Sequence, residues 1–184
     1  MSATNFTTLE PQRYDSVARL FHWAVVLLLV MQILTKVGLP ELLPASAEDS
    51  LNAWHLSLGS TILFVMALRL AWRLTHTPPP PPADLSPSLR LVSRATHWGF
   101  YAILIVLPLL GWVAASAYDA PVRLFGLIPL PALVAPDKAL GEAVGEVHGA
   151  VAFTLLLLMA LHIAGALYHL LVKRDRVMQR ILPG

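Results

Sequence analysis

No cysteine occurs in the 184 residues. That single absence excludes disulfides, iron–sulfur clusters, thiolate-bound zinc and covalent haem attachment through CxxCH. Charge is scarce too: 13% of residues are charged against 57% hydrophobic, and mean hydropathy is +0.66. A soluble domain of this length needs far more charge to cover its surface. The first nineteen residues have no apolar core and hold Glu10, Arg13, Asp15 and Arg19, so a cleavable signal peptide is not expected. A pI near 9.2 would suggest nucleic acid as partner of a soluble protein. Here membrane topology accounts for the basic excess, and no nucleic-acid partner is expected.

What is present is four apolar stretches long enough to cross a bilayer, at about 17–37, 51–72, 95–118 and 147–172. They predict an all-α integral membrane protein, a four-transmembrane-helix bundle embedded in lipid. Residues 1–16 form a polar tail and 173–184 a basic one. Between the first two spans, 38–50 combines Gly, Pro and acids and reads as a loop. Five consecutive prolines, Pro78–Pro82, make a stiff extended spacer after the second. Pro108 and Gly111 predict a kink in the third span. Residues 119–146 form the longest loop, apolar but broken by prolines, and are expected to lie on the membrane surface.

Ten of the thirteen basic residues fall on the side that holds both tails and the proline run; the other side has Lys36, Arg123 and Lys138 with seven of the eleven acids. The positive-inside rule therefore predicts both termini cytoplasmic.

Histidine is costly in hydrocarbon and marks function there. The fourth span carries His148, His162 and His169. His148 and His162 lie about 21 Å apart along a helix and within roughly 40° of one face. Orientation sorts the histidines into layers. His55 and His148 share the outer layer and can partner only each other. The inner layer offers His22, His97, His162 and His169, with His22 and His162 the better depth match and His97 with His169 the rival. Two neutral imidazoles from different helices suit haem iron. Zinc would want more ligands, carboxylates or thiolates among them, which the spans lack. Gly59, Gly149 and Gly165 make room for a flat macrocycle, and Arg19, Arg69 and Arg73 can pair with its propionates. Set against this, a lone intramembrane histidine more often makes an interhelical hydrogen bond, snorkelling arginines are ordinary at span ends, and the five tryptophans fit an aromatic belt. R-x-x-H-W recurs at Arg19–Trp23 and Arg94–Trp98, a short internal echo.

The ordered segments HW, WHLSLG, RLAWRLTHTPPP, THWGFYAILIVLPLLGW, FGLIPLP and VHGAVAFTLLLLMALHIAGALYH resemble the bacterial cytochrome b561 family over about residues 13–184. The resemblance implies a diheme b-type cytochrome of the bacterial inner membrane that exchanges electrons with quinone. It implies that His55 and His148 hold an outer haem b and His22 and His162 an inner one, with His97 and His169 at the catalytic quinone site. Within the family the pattern is most similar to the stand-alone superoxide oxidase type, which implies an oxidoreductase passing electrons from superoxide to ubiquinone. Lys36, Arg123 and Lys138 could draw such an anion. Two other readings remain: a cytochrome b anchor of a hydrogenase or formate dehydrogenase-like complex, and a haem-free metal or proton transporter. The missing intramembrane carboxylates count against the transporter. Either a monomer or a homodimer is compatible with the chain.

Overall fold

The computed structural model describes residues 12–82 and 85–183, so residues 1–11 of the N-terminal tail lie outside it. Its helices are α1 (Ser16–Leu34), α2 (Leu39–Leu42), α3 (Glu48–Thr75), α4 (Pro87–Ala117) and α5 (Lys138–Leu167). Four of them, all but the single turn α2, are long and apolar enough to cross a membrane. α3 packs along α1 and α4, and α4 along α5. Both described termini lie at one end of the bundle, the proximal end, where the Tyr14 amide donates to the Arg180 carbonyl at 3.1 Å. The opposite, distal end carries the connections α1–α3 and α4–α5.

Side chains fix where most helices begin. Asp15 accepts from the Ala18 amide (2.8 Å), Ser86 from Leu89 (3.4 Å) and Asp137 from Leu140 (3.1 Å), each satisfying an amide with no helical partner. α4 adds Pro87 in its first turn, where the missing N–H costs nothing. The caps carry two helices well beyond their apolar stretches. α4 starts at Pro87 although hydrophobicity sets in near Ala95, and α5 starts at Lys138 although it sets in near Val147. Hydrophobic length measures membrane thickness; a cap and good helix formers decide where the helix itself starts.

Val25 and Leu29 of α1, Ile62 and Met66 of α3, Leu104 of α4 and Leu155 of α5 meet in the centre of the bundle. Outside, Leu27, Phe153, Leu157 and Leu161 are exposed, as the lipid-facing surface of a membrane bundle requires. Lipid tails are as apolar as these side chains, so helix association rests on packing and interhelical hydrogen bonds rather than on exclusion from water.

The α4–α5 connection is more ordered than its prolines suggest. Arg123–Leu124 pairs antiparallel with Ile128–Pro129 across a turn in which Gly126 has φ 73°, a conformation glycine adopts without strain. The hairpin lies against α3: Ser60 donates to the Arg123 carbonyl (3.0 Å), the Phe125 amide donates to Thr61 (3.3 Å), and the Phe64 and Phe125 rings meet edge-on. Trp112 donates to the Pro131 carbonyl at 3.0 Å. The connection thus covers the distal part of the bundle.

At the proximal end the basic tail is docked. Trp23 donates to the Ile181 carbonyl (2.9 Å) and Arg19 to Leu182 (3.1 Å). Arg180 donates to the Gln12 (3.0 Å) and Pro80 (2.7 Å) carbonyls.

Candidate functional site

All four long helices or their ends contribute to a distal cluster. α3 brings His55 and α5 brings His148, with ring centres 6.4 Å apart. The Thr35 hydroxyl donates to the Gln32 carbonyl at 2.7 Å and lies 3.1 Å from His55 Nδ1. Its proton is therefore spent, and it accepts from Nδ1–H. That assignment leaves Nε2 of His55 unprotonated, accepting from the Gln32 side-chain amide at 3.1 Å. His148 reaches the same tautomer by another route. Its Nδ1 lies 3.1 Å from the Leu107 carbonyl, which can only accept, so Nδ1 carries the proton and Nε2 the lone pair. Gly111 makes that contact possible. A Cβ there would sit 3.1 Å from Cε1 and 3.3 Å from Nδ1 of His148.

The proximal cluster lies deeper towards the termini. His162 of α5 faces His22 of α1, with ring centres 6.4 Å apart, and His97 of α4 at 5.7 Å. Phe100 covers the His162 ring edge-on at 5.3 Å. The two R-x-x-H-W segments thus both deliver their histidines to the neighbourhood of one imidazole. His22 is half-buried and His97 exposed. Arg69 of α3 lies within electrostatic reach of His22, His97 and His162, and Arg73 of His97. Arg69 also stands over the Tyr101 ring at 5.6 Å. His169 sits apart from this group, with its Nδ1 2.6 Å from the Asp175 carboxylate.

Donor chemistry and spacing both fit haem. An imidazole nitrogen binds a first-row metal at about 2 Å with its ring centre about 1.1 Å behind, so two imidazoles on opposite sides of one ion have centres about 6 Å apart. Metal-bound histidines normally give their other N–H to a carbonyl or similar acceptor, and both distal rings do so. Gln32 Oε1 is buried without a hydrogen-bond partner, a polar atom whose surroundings are unfinished among the protein's own groups. No three His, Asp or Glu side chains gather as a metal site among the described residues.

Of the small residues expected to open space, Gly59 faces the Gln32 amide at 3.5 Å, while Gly149 and Gly165 face open space. Arg19 commits a guanidinium nitrogen to the C-terminal segment. His76 stacks on Trp72 at 3.6 Å and belongs to the proximal surface. Lys36 donates to Asn52 and lies within electrostatic reach of His55 and His148.

Gln32, Thr35, Leu107 and Gly111 were not evident from sequence. The signal that could have found Thr35 and Gln32 is their depth: orientation places both at the distal end of the first span, level with His55.

The family described as Prokaryotic cytochrome b561 matches residues 13–184. Cytochrome b561 homolog 2 of Escherichia coli (strain K12) is 26% identical over 189 residues, covering 99% of this chain and 95% of that protein.

Proposed function

The chain belongs to the prokaryotic cytochrome b561 family, and on that premise we propose that it is a two-haem cytochrome passing electrons from superoxide at its distal face to ubiquinone at its proximal face. The coarser part follows from membership: this is a multi-pass membrane cytochrome that transfers electrons with b-type haem. The two-haem part of the finer reading rests on one observation, two imidazole pairs of equal 6.4 Å spacing at two depths; superoxide and ubiquinone rest on the resemblance to the superoxide oxidase type.

In this reading Nε2 of His55 and of His148 hold the distal haem, and His22 with His162 the proximal one. His22 is preferred to His97 as the partner because its position in the first span is the better depth match to His162. When bound, the haems supply one-electron transfer between the membrane faces. Thr35 and the Leu107 carbonyl hold the distal rings in the tautomer that leaves the Nε2 lone pair unprotonated, and the Gln32 amide would release that of His55 to the haem. Arg69 and Arg73 neutralise propionates at the proximal end. Lys36 focuses a small anion towards the distal pair. His97 and His169 serve the quinone, at the edge of the proximal layer. The basic asymmetry supports both termini in the cytoplasm of a bacterial cell, with the distal face outside the inner membrane.

The test is a pyridine haemochrome count with a reduced-minus-oxidised spectrum of the detergent-purified protein. Two b-type haems per chain are expected; one or none overturns the two-layer reading. Superoxide mixed with the oxidised protein should reduce haem in stopped flow, and a rate no faster than that of a His55→Ala control removes superoxide as donor.

A further inference from the structure

α5 ends in an unusual way. It widens into a π-helical turn, Tyr168–Lys173, and stops at Arg174, whose φ is 51°. In a continuing α-helix, Asp175 would lie on a different face from His169. Here the wide turn and the left-handed residue fold the chain back, and the His169 carbonyl accepts both the Arg174 amide and, at 3.2 Å, the Asp175 amide. Asp175 Oδ2 then meets His169 Nδ1 at 2.6 Å. Its Oδ1 accepts the Val177 amide at 3.0 Å, so the carboxylate is held by both oxygens. Its side chain and that of His169 are 25% and 17% exposed. Beside the carboxylate is a cavity of about 280 Å³ lined by Gln12, Pro80, Arg180 and Asp175 itself, with room for several waters. Asp15, by contrast, is committed to the Ala18 amide and the Trp72 indole.

We propose that Asp175 is a positioning residue for quinone protonation, acting through His169; the inference rests on the proximal quinone reading above. An ionised carboxylate can only accept, so Nδ1 of the facing ring carries a proton. The negative charge compensates an imidazolium, and Nε2–H becomes the proton that leaves. Quinone takes two electrons from the haems and two protons to become quinol. For each proton, the Nε2–H bond breaks and a quinone O–H bond forms, leaving a neutral ring with Nδ1–H still on Asp175. Solvent water at the proximal end, to which the His169 side chain is partly exposed, then returns a proton to Nε2. The arrangement parallels the carboxylate that orients and charge-stabilises a catalytic imidazole in hydrolases.

The experiment uses the full-length, haem-loaded protein in detergent, reduced and mixed with a short-chain ubiquinone while haem reoxidation is followed. Asp175→Asn keeps the Val177 acceptor, and so the turn, but removes the charge. We expect reoxidation at saturating quinone at least tenfold slower, with KM, haem content and reduction by the donor unchanged. Asp175→Glu should recover most of the rate, and combining Asp175→Asn with His169→Gln should slow reoxidation no further than His169→Gln alone. Wild-type reoxidation in Asp175→Asn, additive slowing in the double variant, or loss of haem from Asp175→Asn overturns the role. If the unaltered protein does not pass electrons to quinone, the quinone reading falls and takes this inference with it.

Discussion

Gly111 and Thr35 act on the two distal imidazoles from different helices, and each can be tested alone. Gly111→Ala places a methyl 3.1 Å from the His148 ring, closer than it can stay. The ring must give by a few tenths of an ångström, which strains its bond to the Leu107 carbonyl, at a cost of about 1–3 kcal/mol. A haemochrome count should fall towards one per chain, with the proximal spectrum retained. Thr35→Val keeps the shape and removes the acceptor for His55 Nδ1–H. Loss of such a partner weakens metal binding by roughly 10–100-fold and lowers ligand basicity, so redox titration should find the distal potential shifted upward. The six histidines of the spans were legible because polarity stands out against hydrocarbon in one sequence. Gly111 reads there only as a helix weakener, because its significance lies in a ring on another helix. No periodicity within one span reports what the next span places opposite it.

Among the elements, α1 shows how one residue can join cap and bundle. Asp15 caps the helix and accepts the Trp72 indole of α3 at 3.2 and 3.3 Å. Burial pushes its carboxyl up; hydrogen bonds from Ala18, Trp72 and Val17, together with nearby His76, outweigh that and hold it below the ordinary carboxylate range. A lowered folded value means that the ionised cap stabilises the protein above the unfolded value, about 3.9. This contribution fades as pH falls through the lower folded one. Asp15→Ala should therefore cost about 1 kcal/mol in neutral thermal unfolding, and the gap to wild type should narrow under strong acid. The four spans themselves were plain from hydropathy. The early starts of α4 and α5 were not, since capping and helix propensity act outside the apolar run. Nor was the hairpin at Arg123–Pro129, whose hold on Ser60 and Thr61 is tertiary.

In the molecule as a whole, the proximal end is tied through Arg180, which donates to carbonyls near the N-terminus and in the proline run. Both bonds are exposed, so Arg180→Ala should cost only about 1 kcal/mol. The sharper readout is proteolysis: cleavage within the tail and the proline run should accelerate while the spans stay protected. Ribosomal synthesis proceeds from the N-terminus, and α5 is made after the other three spans. Yet α5 supplies an imidazole to both layers, His148 to one and His162 to the other. A nascent chain holding only the first three spans would have half of each pair. Cofactor loading should therefore be a single late event, with no one-haem species accumulating on the ribosome. A chain stopped before Val147 should carry no haem, although His22, His55 and His97 are all in place.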